Sequence, residues 1–465
     1  MKARPCALGA GSFFALQLVR FRDYKNYGVI RFEQLINRWG KMFNFRALPS
    51  ALAILLLTPL SAHAVSLSLN GNSADLQMDN TQAVYASDSN GVPMLITGIG
   101  MKAPGGAVVT EVGVPSMMPD GRVIFGAESQ PKDTNIKARW NIFIGNADAV
   151  PSHRMIAALN PKALGGDCTP AFKGDPYPIA DTDGNIAFIS TVPHGRDALF
   201  FYSHGKLACM AKAGEKTNEG HEIAVLSFGS AQMGDDGQVA FTAFLGDSTK
   251  PSGHHQALLL ASLGRGVSEL AVESEYGPNH TLYQRPFGLP AALPSQLGTM
   301  IAFTAKTPTG AALFLYRGGS MARILPTGTL TSVGPVTYLS AGRPGLMADG
   351  TTAVLAGCAR IPAIFRLSRQ RLDLRIERGQ LTPFGTELES LGDPVLTASG
   401  AMFVGATDSD DREKLYVLSP DDAFFEVGET EFIYRIAMGA QKHHSIFTGT
   451  LTVNQHGDFA YLGGR

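Results

Sequence analysis

The sequence predicts an all-β fold: a seven-bladed β-propeller of four-stranded blades, with the closing blade shared by the N- and C-terminal segments. Three observations carry that expectation. A turn ending in Gly, followed by an apolar strand, recurs seven times at separations of 63, 53, 62, 51, 50 and 57 residues, a period that fits a propeller blade and not a helical hairpin. Each copy but the last is followed by further strand-like segments. The start of the body resembles the segments that the last copy lacks. Composition agrees: of 465 residues 45% are hydrophobic, only 17% are charged and 52 are Gly, which excludes disorder as the bulk state and favours strands and turns over charged helices.

Residues 1–64 differ from the rest. Lys41 to Arg46 form a basic n-region, Ala51 to Leu60 an apolar h-region, and Ala62-His63-Ala64 a small-x-small cleavage site, the three parts of a secretory signal. The apolar stretch is broken by Pro59 and falls short of the roughly 20 residues that span a bilayer, so it reads as a signal; an uncleaved anchor behind an extended tail is the alternative. A signal of ordinary length starts at Met42, not Met1, and ends after Ala64. Residues 65–465 are then a single propeller domain, secreted or periplasmic. Of the 39 basic and 40 acidic side chains, nine and two fall in residues 1–64, which leaves 30 and 38 and a net charge of −8. That balance disfavours nucleic acid and anionic membrane surfaces as partners.

The repeat reads MPDGRVIFGA at 118–127, DTDGNIAFIS at 181–190, GDDGQVAFTA at 234–243, MADGTTAVLA at 347–356, TASGAMFVGA at 397–406 and NQHGDFAYLG at 454–463; QLGTMIAFTA at 296–305 carries its Gly one place early. Counting from the Gly position, places two, four and six form one face of a strand: Val123, Phe125 and Ala127 in the first copy, Val239, Phe241 and Ala243 in the third. The small member always stands at the same end, as expected where strands converge on an axis. The alternate face is also mostly apolar (Ile124, Ala187, Ala240, Ala302, Ala353, Phe403, Ala460), so both faces need cover, which neighbouring blades supply. A second strand follows at 141–145, 198–202, 257–261, 312–316, 363–367 and 414–418, a third at 206–214 and 321–328, and segments such as 222–229 and 335–342 precede the turn. Residues 82–98 complete the blade opened by 450–462. The pairs Asp120-Gly121, Asp183-Gly184, Asp236-Gly237 and Asp349-Gly350 are turn chemistry: Asp bonds nearby backbone and Gly takes positive φ without steric cost.

The motif resembles the NxxGxxAF tandem-repeat proteins, secreted bacterial proteins of uncharacterised activity. The clearest parts are Asn454-x-x-Gly457 and Gly184-x-x-Ala187-Phe188; elsewhere the Asn is replaced, by Met118, Asp181, Gly234, Met347 or Thr397. The resemblance implies a repeat architecture and an extracytoplasmic compartment, and brings no catalytic residue.

Chemistry is sparse. Of Cys168, Cys209 and Cys358, the first two lie within or beside one blade and are the candidate disulfide, while Cys358 is a core residue. His254-His255 and His443-His444 read as loop histidines, since adjacent side chains point to opposite sides of a strand. Asp408, Asp410, Asp411 and Glu413 resemble part of a calcium loop, but the full ligand pattern is missing, and Arg412 and Lys414 offer the acids partners. No GxSxG elbow, Walker loop or Rossmann fingerprint occurs. No catalytic residue, metal ligand or cofactor is assigned, and activity as an enzyme is not expected. The expected function is a monomeric binding or scaffolding module for an extracytoplasmic protein or glycan. Its contact loops would lie at 128–140, 245–256 and 271–292, where the repeat is interrupted. The alternatives are a surface-layer component and a hydrolase or lyase acting on carbohydrate or peptide. Two or three acids with a His or Arg in the axial funnel would mark the enzyme; an uncharged or plugged funnel would mark the binding protein.

Overall fold

Seven antiparallel sheets make up the computed structural model, and no α-helix occurs among the described residues. Those are residues 82–464 apart from 90, 133–134, 150–154, 158–167, 182, 193–194, 235–236, 247–252, 359–360, 370, 384, 411–412, 422, 428–449 and 455. The signal region and the start at Met42 lie outside them. Asp79–Arg465 forms one compact unit.

Each sheet is centred on a Gly-turn strand. Blades 1 to 6 are built on Val123–Gln130, Ile186–Thr191, Gln238–Leu245, Gly298–Thr307, Thr352–Cys358 and Met402–Asp408, and blade 7 on Phe459–Gly464. The turn before the strand has one geometry in most copies. In blade 2 the Asp181 N–H donates to Asn185 O and the Gly184 N–H to Asp181 O, with Gly184 at φ 78°. The carboxylates close their own turns: Asp181 Oδ1 accepts from the backbone N–H of Asp183 and Asn185, Asp120 Oδ1 from Arg122 and Asp349 Oδ1 from Thr351. The early Gly of blade 4 has a local cause. Here Ser295 pairs directly with Gly298 across a tighter two-residue hairpin, so the left-handed residue falls one place sooner.

The ring closes as the two ends of the sequence require. Gln82–Ser87 pairs with Phe459–Gly464, Pro93–Gly98 continues outward from it, and Thr452–Val453 lies on the inner side. Tyr85 stands opposite Tyr461 with their rings stacked at 5.4 Å, and Ser87 Oγ accepts from the Phe459 N–H. One expectation needs correction: blades hold four to six strands, not four throughout. The innermost strand is broken in most blades into two pieces that both pair with the Gly-turn strand, as Val108–Val112 and Ser116–Met117 do with Val123–Gln130.

That break shapes the axis. The second pieces, Ser116–Met117, Ile179–Ala180, Gln232–Met233, Ala291–Ser295, Gly345–Leu346, Val395–Leu396 and Thr452–Val453, touch one another in order, and the last touches the first: a closed ring of seven. The first pieces lean outward instead onto the third strand of the preceding blade, as Ile223–Leu226 does onto Asp197–Ser203. The small residue of each repeat therefore does not mark the narrow ring. Ala127, Ala243, Ala356 and Ala406 stand opposite Val112, Leu226, Leu339 and Leu391 of the first pieces, at the far end of the strand, where the small side chain makes room for the leaning segment.

The core is divided among the blade interfaces. Val239, Phe241 and Ala243 of blade 3 pack on Ala187 and Ile189 of blade 2, and Val123, Phe125 and Ala127 of blade 1 on Ala460 and Leu462 of blade 7. Each repeat thus buries one face against the alternate face of its predecessor, and each fully covered Phe contributes about 1.5–3 kcal/mol.

Candidate functional site

Near the ring of inner pieces three charged side chains, Arg343, Asp393 and Asp175, are engaged with neighbouring segments. At the breaks in the inner strands, Arg343 of blade 5 donates from Nε to Pro290 O of blade 4 (3.0 Å) and from Nη2 to Gly229 O of blade 3 (3.1 Å). Asp393 Oδ1 accepts from Ser340 Oγ. Asp175 accepts the Val114 N–H of blade 1 through Oδ2 and the Tyr177 N–H through Oδ1. A Cβ on Gly113 or Gly342 would overlap the Asp175 or Asp393 carboxyl, which is why glycine stands at both places. All three residues are half-buried. Burial pushes Asp175 up to about 6 in spite of its two backbone donors, raises Asp393, and lowers Arg343 to about 10 against the attraction of Asp393.

A second repeat, which the Gly-turn pattern hid, lies on the connections from the outer strand of one blade to the inner strand of the next. Gly100-x-x-Ala103-x-x-Gly106, Gly214-x-x-Thr217-x-x-Gly220, Gly328-x-x-Thr331-x-x-Gly334 and Gly379-x-x-Thr382-x-x-Gly385 mark four such hairpins. Their closing bonds recur: the Gly214 N–H donates to Ile223 O, Gly379 to Leu388 O and Gly100 to Val109 O. The hairpin entering blade 4 closes the same way, from the Ser274 N–H to Tyr283 O, but without the glycines. Ser274 (φ 71°) and His280 (φ 52°) take the left-handed backbone that glycine takes at the matching Gly214 and Gly220. This hairpin lies inside the 271–292 connection.

Beside it is a cavity of about 260 Å³ lined by Glu269, Ala271, Glu275, Tyr276, Tyr283 and Met321. Tyr276 is 72% exposed at its mouth, while Tyr283 is buried and its hydroxyl pushed up to about 12. At the rim, His221 of the preceding hairpin meets Glu269 of the outer strand Gly266–Val272, with Nδ1 at 2.9 and 3.0 Å from the two carboxylate oxygens. Thr217 Oγ1 donates to Glu269 and accepts the His221 N–H, so the hairpin holds both groups. The Glu269 side chain is 6% exposed and that of His221 54%. One ligand-type atom from each of His221, Glu269 and Glu275 falls within 4.8 Å of the others. The hydrogen bond and charge of Glu269, followed by the charges of Glu275 and Glu219, hold the imidazole above its usual pKa.

The other expected features lie elsewhere. Of the expected 128–140 loop, Glu128 to Gln130 and Arg139 to Trp140 are strand, and Thr110 bonds Glu128 within it. Half of 245–256 is outside the described residues, but Gln256 Oε1 accepts the Phe287 N–H and ties blade 3 to blade 4. Asp408 is wholly buried and pairs with Lys414 at 2.9 Å, which also reaches Glu426; Asp411, Arg412 and the pair His443-His444 lie outside the described residues. Cys168 and Cys209 form a disulfide, and Cys358 is buried and free, as expected. Sequence reasoning missed His221 and Glu269 because they are 48 residues apart and meet only through blade geometry. The Gly-x-x-Thr-x-x-Gly pattern was the available signal for the hairpin that presents His221.

Residues 151–463 match a family described as "Family of unknown function (DUF7453)". The chain belongs to that family. No curated protein matches this DUF7453 member. Among solved structures it is similar to prolyl oligopeptidase B from Galerina marginata at 8% identity, covering 68% of this chain and 44% of that one, with a TM-score of 0.41. The chain therefore spans less than half the length of that peptidase. It is also similar to Trypanosoma rangeli sialidase, at 10% identity over 78% of this chain and 60% of that one with a TM-score of 0.35. A third likeness is to the fucose-specific lectin from Aleuria aurantia, at 12% over 64% and 90% with a TM-score of 0.29. Likenesses this distant carry no activity to the DUF7453 chain. No helix among the described residues is long and apolar enough to cross a membrane.

Proposed function

We propose that this protein is a secreted or periplasmic binding module, exported by the signal at 42–64, that takes its ligand at the outer edge of blades 3 and 4 and performs no catalysis in its funnel. One observation carries the choice: Arg343 and Asp175, beside the ring of inner pieces, are spent on backbone, including that of neighbouring blades. Arg343 bridges three blades, and Asp175 has each carboxylate oxygen occupied by a backbone N–H. A carboxylate hydrolase needs an acid and a base free to reach substrate; two acids and an Arg do stand near the axis, as that alternative requires, but the engagement of Asp175 and Arg343 with backbone weighs against it. The Cys168–Cys209 disulfide supports an oxidising compartment.

The cavity is lined by aromatic and carboxylate groups together. That combination suits a glycan, whose hydroxyls donate to carboxylates while its C–H face lies on an exposed ring such as Tyr276. The test is a glycan array probed with the purified exported chain beside Tyr276→Ala. Binding lost or weakened about tenfold or more in the variant, with unchanged thermal stability, is the expected result; glycan binding that Tyr276→Ala leaves intact would move the site elsewhere. N-terminal sequencing of the exported chain checks the address, and a first residue before Val65 would overturn it.

A further inference from the structure

We infer that His221, Glu269 and Glu275 form a site for one divalent transition-metal ion of the zinc class, which clasps the hairpin entering blade 3 to the hairpin entering blade 4. The inference shares Glu269 and Glu275 with the glycan reading but does not rest on it, because it needs no ligand but the metal.

Three arguments converge. The first is donor chemistry: one imidazole nitrogen and two carboxylates are a zinc-type set, and three protein ligands leave a fourth position open. Their atoms already lie within 4.8 Å of one another. Tetrahedral ligands about 2.0–2.1 Å from a metal stand roughly 3.3–3.4 Å apart, so closing the site shortens these separations by up to about 1.5 Å. The donors come from stiff supports. Glu269 sits on the outer strand, almost fully buried, while Thr217 fixes His221. Glu275 is held by the Glu275 N–H to Val272 O and the Tyr283 N–H to Glu275 O bonds.

The second argument is charge. Glu219 joins the group, its carboxylate accepting the Glu269 N–H at 3.2 Å. Three carboxylates thus surround a single imidazole. Among the described residues no Lys or Arg stands within ion-pair distance of any of the three; the neighbouring Arg285 is engaged with Glu273. A divalent ion offsets this excess, whereas a protonated His221 offsets only part of it. The third argument is space. Glu269 and Glu275 both line the 260 Å³ cavity, so the open coordination position faces room for water or a ligand atom rather than packed side chain.

The test uses the exported chain stripped with chelator, then dialysed against zinc chloride with metal content measured by mass spectrometry, and titrated calorimetrically. The expected result is one zinc per chain, with His221→Gln and Glu275→Gln each weakening binding about tenfold or more. Both residues are surface-accessible, so the variants keep the fold, checked by their thermal transition without metal. His456→Gln, in the turn of blade 7, serves as the control and binds as the parent does. No zinc uptake at 100-fold excess of metal would overturn the inference. So would uptake that His221→Gln and Glu275→Gln leave unchanged, since the ion would then sit on other histidines and the cluster would be an ion pair only.

Discussion

Replacing Arg343 with methionine tests whether the axial charge is structural. Methionine keeps most of the aliphatic length and removes the guanidinium, so Pro290 O and Gly229 O lose their donors and Asp393 loses the cation beside it. A hydrogen bond from a charged donor is worth about 1.5–3 kcal/mol, which for two bonds sums to roughly 3–6 kcal/mol. Solvent re-satisfies part of this, because Arg343 is only half-buried, and the expected loss is about 2–4 kcal/mol. A unit spanning Asp79–Arg465 carries an unfolding entropy of about 0.8 kcal/mol per kelvin. The midpoint should therefore fall by about 3–5 °C in calorimetry, while ligand and zinc binding at the rim of blades 3 and 4 stay as they were. A variant as stable as the parent that has lost binding or some hydrolytic activity would refute the reasoning, because Arg343 would then be serving a ligand and not the ring.

Two further outcomes concern Asp197 and the disulfide. Burial pushes Asp197 up to about 6, above its unfolded value near 4, so between those values the folded chain holds more protons than the unfolded one and stability falls as pH rises through about 4 to 6. Asp197→Asn should raise the midpoint at pH 7.5 and leave it unchanged at pH 4; an equal shift at both would show that the carboxyl does not titrate there. The Cys168–Cys209 bridge spans a sequence separation of 41, for which chain-entropy reasoning gives up to about 4 kcal/mol. Replacing both cysteines with serine should cost about 2–4 kcal/mol in denaturant unfolding, and peptide mapping that finds both thiols alkylatable in the parent would remove the bridge.

Much of the ring was legible in the sequence because a propeller repeats its contacts. The face Val123, Phe125, Ala127 must meet the same kind of partner in every copy, so selection for packing writes the same letters every 50 to 63 residues. Ring closure was legible for a related reason: a last Gly-turn strand without followers and a first segment without a leader solve each other's unpaired edges. The broken inner strand was not legible. Its two pieces are short, and the break serves contacts with the preceding blade, which no local periodicity records.

The rim of blades 3 and 4 was half legible, and the half that was missed explains the other. The 271–292 connection stood out because it departs from the repeat, and the structure gives the departure a form: a hairpin that keeps the common backbone but has exchanged its glycines for Ser274 and His280. A left-handed residue other than glycine costs roughly 1–2 kcal/mol, so a fold that meets the same turn elsewhere with Gly214, Gly220, Gly379 and Gly385 had a cheaper sequence at hand. The exchange falls in the hairpin that carries Glu275 and Tyr276, beside Glu269, whereas the neighbouring hairpin that presents Thr217 and His221 to Glu269 keeps Gly214 and Gly220. Cooperation between His221, Glu269 and Glu275 depends on two consecutive hairpins lying against one outer strand, a relation set by blade stacking alone. Where a repeat is interrupted, the sequence can show that something is different; only the arrangement of the blades shows which distant side chains share the difference.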